Sequence, residues 1–282
     1  MNFIEVAITG SNVDSGEILA MMDDCEELGG WEKEGVVFLY WPENKWNEGT
    51  LESIKSALSV LGVDNPESVI SVQSVPDQDW NAVWAASLNP IRIGKRFRIR
   101  QSWHPEDKHF DGFELVIDPK RAFGTGYHST TQLVIEWLER RIKGRERVLD
   151  IGTGSGILSM AAIRLGAQSV LAIDNDSVAI ECAQEYARMN GFGSELRFEV
   201  ASFENITSRD FDVILANLDI RIMPQVCPYF SKYLKRNGIA CLSGLQQQDL
   251  QEIIAALSAE GFQVKSQTSR DEWFALEVAR SF

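Results

Sequence analysis

The chain has 282 residues, of which 44% are hydrophobic, and its formal net charge is −14. This length is sufficient for one large hydrophobic core, or for one large core and one small one. The acidic surplus disfavours direct binding to nucleic acid, whose phosphates it repels, and no run of about 20 apolar residues predicts a membrane span.

Residues 1–75 predict a small N-terminal α/β domain. The first residues, Met1 to Val6, lack a basic segment followed by an apolar run, so we expect no signal peptide and a cytoplasmic protein. The order strand, helix, strand, helix, strand is typical of an α+β, ferredoxin-like domain and leaves one strand unassigned. The predicted strands span 3–8, 36–41 and 69–72, and the predicted helices span 15–22 and 50–61.

A linker is predicted over residues 76–90, where a polar break precedes a short helix. Trp80 and Trp84 lie four residues apart and would share one side of this helix. We expect them to pin the linker onto a domain, with a ligand platform as the alternative.

Residues 91–118 predict β structure in which apolar and basic side chains alternate. A strand over 91–100 would place three isoleucines and Phe97 on one face and four arginines on the other. Such an arginine face is expected to be solvated and paired with the surplus carboxylates.

Residues 91–282 as a whole predict a larger, doubly wound α/β domain. From residue 145 strands alternate with helices, which favours right-handed crossovers and a mostly parallel sheet covered on both faces. The last two apolar runs, 262–264 and 273–278, have no helix between them and predict an antiparallel pair at the sheet edge. The other predicted strands span 147–151, 169–174, 211–217 and 239–243, and the predicted helices span 157–165, 177–190, 222–234 and 250–257.

A glycine-rich turn, Gly152-Thr153-Gly154-Ser155-Gly156, follows the first of these strands and leads into a helix. Glycines permit a sharp turn and a close approach to a ligand, and ligands of doubly wound sheets bind beyond the carboxyl ends of the strands. A dinucleotide site needs a small residue where Ile157 stands, so the spacing disfavours NAD. Asp150 suits a cationic ligand better than a pyrophosphate.

The second strand of this domain ends in Asp174, whose carboxylate can accept hydrogen bonds from both hydroxyls of a ribose. Its neighbour Asp176 is predicted instead to cap the helix that starts near Ser177. The turn and Asp174 together predict a nucleoside ligand. A glycine-rich turn without a ligand is the alternative.

The cysteines and histidines do not predict a metal site. The four cysteines lack C-x-x-C spacing, which indicates reduced thiols rather than a zinc site or a disulfide framework. Only three histidines are present, which further weakens any metal interpretation.

Four segments are more specific than the glycine turn alone. They are residues 79–84, residues 118–131, residues 148–158 and the tripeptide Ala216-Asn217-Leu218. Together they closely resemble the ribosomal protein L11 methyltransferases, over roughly residues 78–280. The run Ala-Phe-Gly-Thr-Gly-Tyr-His-Ser-Thr-Thr, residues 122–131, is the most specific because few other methyltransferases carry its pattern.

The resemblance implies a class I methyltransferase fold with a seven-stranded sheet and S-adenosylmethionine as the methyl donor. It implies methylation of lysine side chains in ribosomal protein L11, with the α-amino group as a further acceptor, and an N-terminal domain that binds L11. By matching motif positions, the cofactor contacts are Thr131, Gly152, Asp174 and Asn217, with Phe123 and Gly124 over the cofactor or beside the amine. The composition of the turn adds Asp150 and Gly154 to the candidate cofactor-binding residues.

No dedicated catalytic base is predicted. Asn217 is the candidate for orienting the acceptor amine, with a cofactor-side or structural role as the alternative. His128 could act as a base, but we expect it to anchor its loop through hydrogen bonds. The family typically continues with Ile-Leu-Ala after Asn217, whereas here Asp219 places a carboxylate on the acceptor side or caps a helix.

Two other functions stay open at this point. The acceptor could be another protein or a small amine, modified by a methyltransferase of the same fold. A nucleotide-binding module without methyltransferase activity belongs to a different class. Neither the oligomeric state nor the number of methyl groups transferred follows from the sequence.

Overall fold

The computed structural model describes residues 2–9, 18, 21–22, 29–33, 35–75, 88–120 and 122–281. The chain divides into two compact units, Met1–Trp84 and Ala85–Phe282. The predicted linker helix with its two tryptophans falls on residues 76–87, which lie outside the described residues. None of the described helices combines the length and the apolar character that a membrane crossing requires.

In its described part, the N-terminal unit has four strands and two helices. The strands form one antiparallel sheet in the order second, third, first, fourth, which fits the predicted ferredoxin-like domain. Most of the predicted helix 15–22 lies outside the described residues. The elements are β1 (Phe3–Thr9), β2 (Gly29–Lys33), β3 (Val36–Pro42), α1 (Glu48–Val60), the single turn α2 (Pro66–Val69) and β4 (Ile70–Val75).

Period-two patterns in the sequence set the core of this unit. Every second residue of β3 is buried, and the apolar Ile4, Val6 and Ile8 of β1 follow the same period, because the side chains of a strand point to opposite faces of the sheet. The α1 helix buries Ile54 and Leu58, four residues apart on one face. The strand that the sequence leaves unassigned is β2, which pairs with β3.

The second unit begins with a small three-stranded sheet of β5 (Ile91–Ile93), β6 (Phe97–Arg100) and β7 (Phe113–Val116). The prediction of one strand over 91–100 is wrong: Gly94, at φ +58°, turns the chain into an antiparallel hairpin. The predicted pairing with carboxylates is confirmed for Arg98 and Arg100, which both bind Glu114, but these two side chains are mostly buried and not solvated as predicted.

The larger sheet of this unit has seven strands, alternating for most of its length with helices. It is preceded by α3 (Ser129–Arg141), and its strands are β8 (Arg147–Ile151), β9 (Ser169–Asp174), β10 (Leu196–Val200), β11 (Phe211–Asn217), β12 (Leu234–Gln246), β13 (Phe262–Arg270) and β14 (Trp273–Arg280). The remaining helices are α4 (Ile157–Arg164), α5 (Ser177–Met189), α6 (Met223–Tyr233) and α7 (Leu250–Ala259).

The strand order is β10-β9-β8-β11-β12-β14-β13, with only β14 antiparallel to its neighbours. The chain starts in the middle at β8, runs outward to β10, and then returns to β11 on the other side of β8. This reversal confirms the predicted doubly wound fold, and the antiparallel pair β13–β14 at the edge is also confirmed. The reversal lies between β8 and β11, where folds of this type bind their ligands.

Both faces of the sheet are covered. Val148 and Val170 pack with α3, α4 and α5 on one face, while Leu149 and Leu171 pack with α6 and α7 on the other. A strand buried on both faces needs a nearly continuous apolar sequence, which explains why β8, β9 and β11 can be predicted.

Candidate functional site

The glycine turn lies between β8 and α4 at the carboxyl edge of the parallel strands. Gly152, Gly154 and Gly156 all have positive φ values, +71°, +55° and +78°, which favour glycine over residues with a Cβ atom. A Cβ on Gly154 would lie 2.5 Å from the carbonyl oxygen of Phe123, and one on Gly152 would overlap Leu218. The glycines therefore bring two other segments against the turn.

Asp174 ends β9 and faces the same side of the sheet edge as the turn. Its Oδ2 accepts a hydrogen bond from the Gly154 N–H at 3.0 Å, and its Oδ1 accepts one from the Asp176 N–H at 3.1 Å. Each carboxylate oxygen can accept a further hydrogen bond, so Asp174 can still bind two hydroxyls.

Asp176 has the structural role that the sequence predicts. Its side chain accepts a hydrogen bond from the Val178 N–H at 2.8 Å and caps the start of α5. The capping prediction is confirmed, and Asp174 remains the candidate for the sugar.

Asp150 lies behind the turn rather than in the cavity and is fully buried. Its Oδ2 accepts hydrogen bonds from the hydroxyls of Thr153 at 2.7 Å and Ser159 at 2.6 Å, whereas its Oδ1 has no partner among the described residues. Burial raises the pKa of Asp150 to about 6, although the hydrogen bonds from Ser159 and Thr153 lower it. Asp150 therefore supports the turn through its Oδ2, and its Oδ1 can still accept a hydrogen bond.

Thr131 and Gly124 do not line the cavity. Thr131 is buried in the first turn of α3, and its Oγ1 has no hydrogen-bond partner among the described residues. The Gly124 carbonyl accepts a hydrogen bond from the Ser155 hydroxyl at 2.6 Å, and the Phe123 carbonyl accepts one from the Ser155 N–H at 2.9 Å. These bonds fasten the segment before α3 to the glycine turn.

Asn217 ends β11 beside the turn, in the neighbouring strand. It lines the cavity, and its side chain makes no hydrogen bond to the residues that the structure describes. The next residue, Leu218, packs against Gly244. A Cβ atom added to Gly244 would overlap the Leu218 carbonyl oxygen. Asn217 is thereby held at the mouth of the turn.

Asp219 forms the outer rim beside Asn217. Its carboxylate accepts hydrogen bonds from the backbone N–H and the guanidinium of Arg221, each at 2.8 Å from Oδ1. The side-chain hydrogen bonds from Arg221 lower the pKa of Asp219 to about 2. This carboxylate is therefore ionised and too weak a base to take a proton from an amine.

A cavity of about 640 Å³ brings the predicted residues together. A smaller one of about 120 Å³ adjoins it, and five residues line both: Gly152, Asp174, Asn175, Leu218 and Ile222. Among the described residues lining the larger cavity there is no lysine or arginine. Of the sequence-predicted site residues, those that line it are Phe123, Gly152, Gly154, Asp174 and Asn217.

Several lining residues have no sequence-based prediction. Trp273 starts β14, Gln246 ends β12, and Gln248 and Asp249 follow β12. Because β14 is antiparallel to β12, its first residue meets the carboxyl end of that strand. The signal that could have found Trp273 is a tryptophan at the start of the predicted antiparallel edge pair.

His128 caps α3, which confirms its predicted anchoring role. Its Nδ1 accepts a hydrogen bond from the Thr130 N–H at 3.3 Å and lies 2.8 Å from the Thr130 hydroxyl oxygen. An Nδ1 that accepts an N–H carries no proton, so the neutral ring is protonated at Nε2. A general base would use the unprotonated nitrogen, Nδ1, and this nitrogen already accepts a hydrogen bond from the start of α3.

Three comparisons with known proteins place the chain among methyltransferases. The family model described as ribosomal protein L11 methyltransferase (PrmA) matches residues 5–281. The ribosomal protein L11 methyltransferase of Pelobacter propionicus is 34% identical over 256 residues, which are 87% of this chain and 82% of the relative. That of Halalkalibacterium halodurans is 32% identical over 269 residues, covering 94% and 84% of the two chains.

A solved structure extends the similarity to three dimensions. The crystal structure of a ribosomal protein L11 methylase from Lactobacillus delbrueckii subsp. bulgaricus has 31% sequence identity and a TM-score of 0.65. The match covers 69% of this chain and all of that one.

Proposed function

The chain belongs to the ribosomal protein L11 methyltransferase family, and from this premise we propose that it binds S-adenosylmethionine and methylates lysine amines of ribosomal protein L11. The α-amino group is a further acceptor of the same chemistry. We propose that the reaction takes place in the cytoplasm, with L11 as the protein partner. The observation that carries this proposal is the meeting of the glycine turn, Asp174 and Asn217 in one cavity.

The residues present fit this donor. The positive-φ glycines leave a surface without side chains, and Asp174 has free acceptor capacity for two ribose hydroxyls. The smaller adjoining cavity, lined by Phe203 and Ile173, offers an apolar space next to Asp174 for the base. Buried polar atoms without partners are rare, so the orphaned Oδ1 of Asp150 and Oγ1 of Thr131 each favour a polar ligand atom or a water molecule beside them.

The chemistry requires little more than alignment from the protein. When bound, the donor supplies a methyl group already activated by its positive sulfur. The chain's residues hold the acceptor nitrogen in line with that group and keep water out. A lysine amine has an ordinary pKa of about 10.4, so it must lose a proton before it can react.

We assign the amine contact to Asn217, whose side-chain oxygen can accept an N–H and turn the lone pair of the nitrogen forward. Transfer of the amine from water into the cavity disfavours its charged form and promotes loss of the proton to solvent. Asp219 is too acidic for this step, and His128 is occupied as a helix cap.

Two experiments test the proposal against its alternatives. Calorimetry or a thermal shift with S-adenosylhomocysteine and, separately, NAD distinguishes a methyltransferase from another nucleotide-binding module. If the protein is a methyltransferase, S-adenosylhomocysteine should bind to it and stabilise it, and NAD should not. Incubation of purified L11 with labelled donor, followed by mass spectrometry, then tests the acceptor. Binding of S-adenosylhomocysteine without labelling of L11 would assign the enzyme to another protein or a small amine.

The acidic surface also bears on the partner. A net charge of −14 attracts a basic protein over long range, and such attraction weakens as salt screens it. Association with L11 should therefore slow as ionic strength rises. An association rate that does not depend on salt would show that long-range attraction does not assist the binding of L11.

A further inference from the structure

The chain enters its second unit through a short segment directly before β5. This unit begins at Ala85, and its first described residues are Leu88, Asn89 and Pro90. We call these three residues the entry segment, because they join the connection between the two units to β5. Leu88 is buried and Asn89 is exposed. A contact that holds this segment therefore fixes the point at which the connection meets the second unit.

The side chain of Tyr127 makes such a contact. Its hydroxyl donates a hydrogen bond to the backbone carbonyl oxygen of Asn89. Burial raises the pKa of Tyr127 above its ordinary value, so the hydroxyl keeps its proton and remains a donor. Tyr127 belongs to residues 122–128, which we call the cavity loop because Phe123 and His128 line the larger cavity, although Tyr127 itself does not. One hydrogen bond thus joins the cavity loop to the entry segment.

A fully buried amide orients the Tyr127 hydroxyl. The Nε2 of Gln101 donates a hydrogen bond to the Tyr127 oxygen at 3.1 Å, and the Oε1 of Gln101 lies 3.1 Å from Nδ1 of His104. The other possible bond, from the hydroxyl to Oε1 of Gln101, is longer at 3.4 Å. A tyrosine hydroxyl has one proton and can accept a bond while it donates one, so the amide leaves that proton for Asn89.

The cavity loop is also attached to the glycine turn. Ser155 of the turn binds two backbone carbonyls at the start of the loop. In the middle of the loop, a Cβ added to Gly126 would lie 3.1 Å from the side chain of Ile99, which shows how closely the loop packs on β6. At its end, the Tyr127 carbonyl accepts a hydrogen bond from Gln132 of α3 at 2.9 Å. Closely packed segments transmit small displacements, so a ligand that holds the turn and the loop also restrains Tyr127.

We propose that Tyr127 is a positioning residue that couples cofactor binding to the entry segment. A nucleoside bound at the glycine turn holds the cavity loop, and the loop holds the entry segment through the Tyr127 hydroxyl. The two states of this device are the hydrogen bond to Asn89 formed and broken. Because such coupling is reciprocal, restraint of the entry segment also favours cofactor binding. The proposal rests on the function above, and in it Tyr127 touches neither the cofactor nor the acceptor.

Hydrogen–deuterium exchange of the full-length protein, read by mass spectrometry, measures this coupling. In the wild type, saturating S-adenosylhomocysteine should slow amide exchange both in the cavity loop and in residues 88–91. Tyr127→Phe removes one oxygen atom and with it the bond to Asn89. In this variant the ligand should still slow exchange in the cavity loop, whereas its effect on residues 88–91 should be smaller by about 2- to 10-fold, the weight of one hydrogen bond.

Two further variants locate the effect. Tyr233→Phe is the matched control, because the Tyr233 hydroxyl also donates to a backbone carbonyl, that of Phe203 at 2.8 Å, but lies on α6. It should keep the full effect of the ligand on residues 88–91. Gln101→Met has nearly the volume of the wild-type side chain but lacks the amide that orients the Tyr127 hydroxyl. It should lose part of the effect, which tests the coupling with Tyr127 intact.

Steady-state kinetics provide a readout that a merely structural role would not give. The N-terminal unit, which the family resemblance assigns to L11 binding, is connected to the catalytic unit through the entry segment. Tyr127→Phe should therefore raise the KM for L11 by about 2- to 10-fold while kcat stays within about two-fold of the wild type. A general loss of folded protein would instead lower kcat and leave the KM unchanged.

The outcomes distinguish this proposal from the one on which it rests. If calorimetry detects no binding of S-adenosylhomocysteine, the proposed function fails and the coupling fails with it. If the ligand binds and slows exchange in the cavity loop but not in residues 88–91 of the wild type, the function stands and the coupling is refuted. An equal effect on residues 88–91 in the wild type and in Tyr127→Phe would refute the role of the Tyr127 hydroxyl.

Discussion

The two sides of the cavity differ in how their residues are distributed along the chain. On the turn side, Gly152, Gly154 and Asp174 come from two consecutive strand ends. On the aromatic side, Phe123 and His128 precede the sheet, whereas Trp273 begins its last strand. The turn side can form within one β-α-β unit, because its residues are close in the sequence. The aromatic side forms only when the whole sheet has assembled, because its residues lie before the first strand and in the last one. We expect the turn side to bind the cofactor.

The substitution Asp174→Ala should separate the two sides most strongly. It removes the carboxylate proposed for two ribose hydroxyls. Hydrogen bonds to a charged group contribute about 1.5–3 kcal/mol each, so the affinity for S-adenosylhomocysteine should fall at least about 100-fold. Calorimetry measures this loss.

The neighbouring acid provides the comparison for Asp174. Asp176→Ser retains an oxygen that can cap α5 and should bind the ligand almost as tightly as the wild type. Tight binding by the Asp174 variant, or a larger loss in the Asp176 variant, would show that the sugar is assigned to the wrong carboxylate.

Beneath the turn, Asp150 should make the stability of the second unit depend on pH. Its pKa of about 6 in the folded protein lies above the ordinary value of 3.8, so the folded state retains a proton that the unfolded state releases. The stabilisation is fully present below about pH 4 and declines by about 3 kcal/mol as the pH rises through about 6.

The variant Asp150→Asn isolates this effect from other titrating groups. Asparagine has no proton to lose in this range and can still accept the hydroxyls of Thr153 and Ser159. Urea unfolding at about pH 4 and about pH 7 should show the variant gaining stability relative to the wild type at the higher pH. A difference that stays constant between the two pH values would rule out a raised pKa at this position.

Gly154→Ala tests the junction between the two sides. Alanine at a positive φ costs about 1–2 kcal/mol, and the new Cβ would also displace the Phe123 carbonyl. We expect about a ten-fold loss of affinity for S-adenosylhomocysteine or more, together with a raised KM for L11.

The matched control for Gly154 is Gly191→Ala. Gly191 has a φ of +71°, but nothing lies within 4 Å of the Cβ that alanine would add, so only backbone strain is introduced. This variant should lose stability without losing affinity for the ligand. If both glycine variants weaken binding equally, strain rather than the contact with Phe123 explains the effect.

The smallest effect is expected at His128. Removal of the cap in His128→Ala should lower the free energy of unfolding by about 1 kcal/mol, and His128→Asn should restore it because asparagine caps helices well. Neither variant should change the shape of the pH–rate profile. An equal, large loss of kcat in both, with a changed profile, would make His128 a base and contradict its assignment as a cap.

The strands that the sequence predicts accurately are those that are buried on both faces of the sheet. The predicted bounds of β8, β9 and β11 agree with the structure to the residue, since each is apolar on both faces. The sequence does not predict the edge strand β10, because that strand is partly exposed and carries Arg197 and Glu199. Nor does it predict the α3 helix, although the first turn of α3 contains the threonines of the most specific motif.

For the site, the glycine turn, the acid at the next strand end and the family similarity can all be predicted from the amino-acid sequence. These depend on backbone conformation and on residues a few positions apart, which local sequence encodes. The folded chain is needed to show that Asp150 lies behind the turn and that His128 caps a helix. It is also needed to show that the His128 ring contacts both Phe123 and Trp273. These contacts join residues that are far apart in the sequence. The packing of the seven strands, and not a local sequence pattern, brings them together.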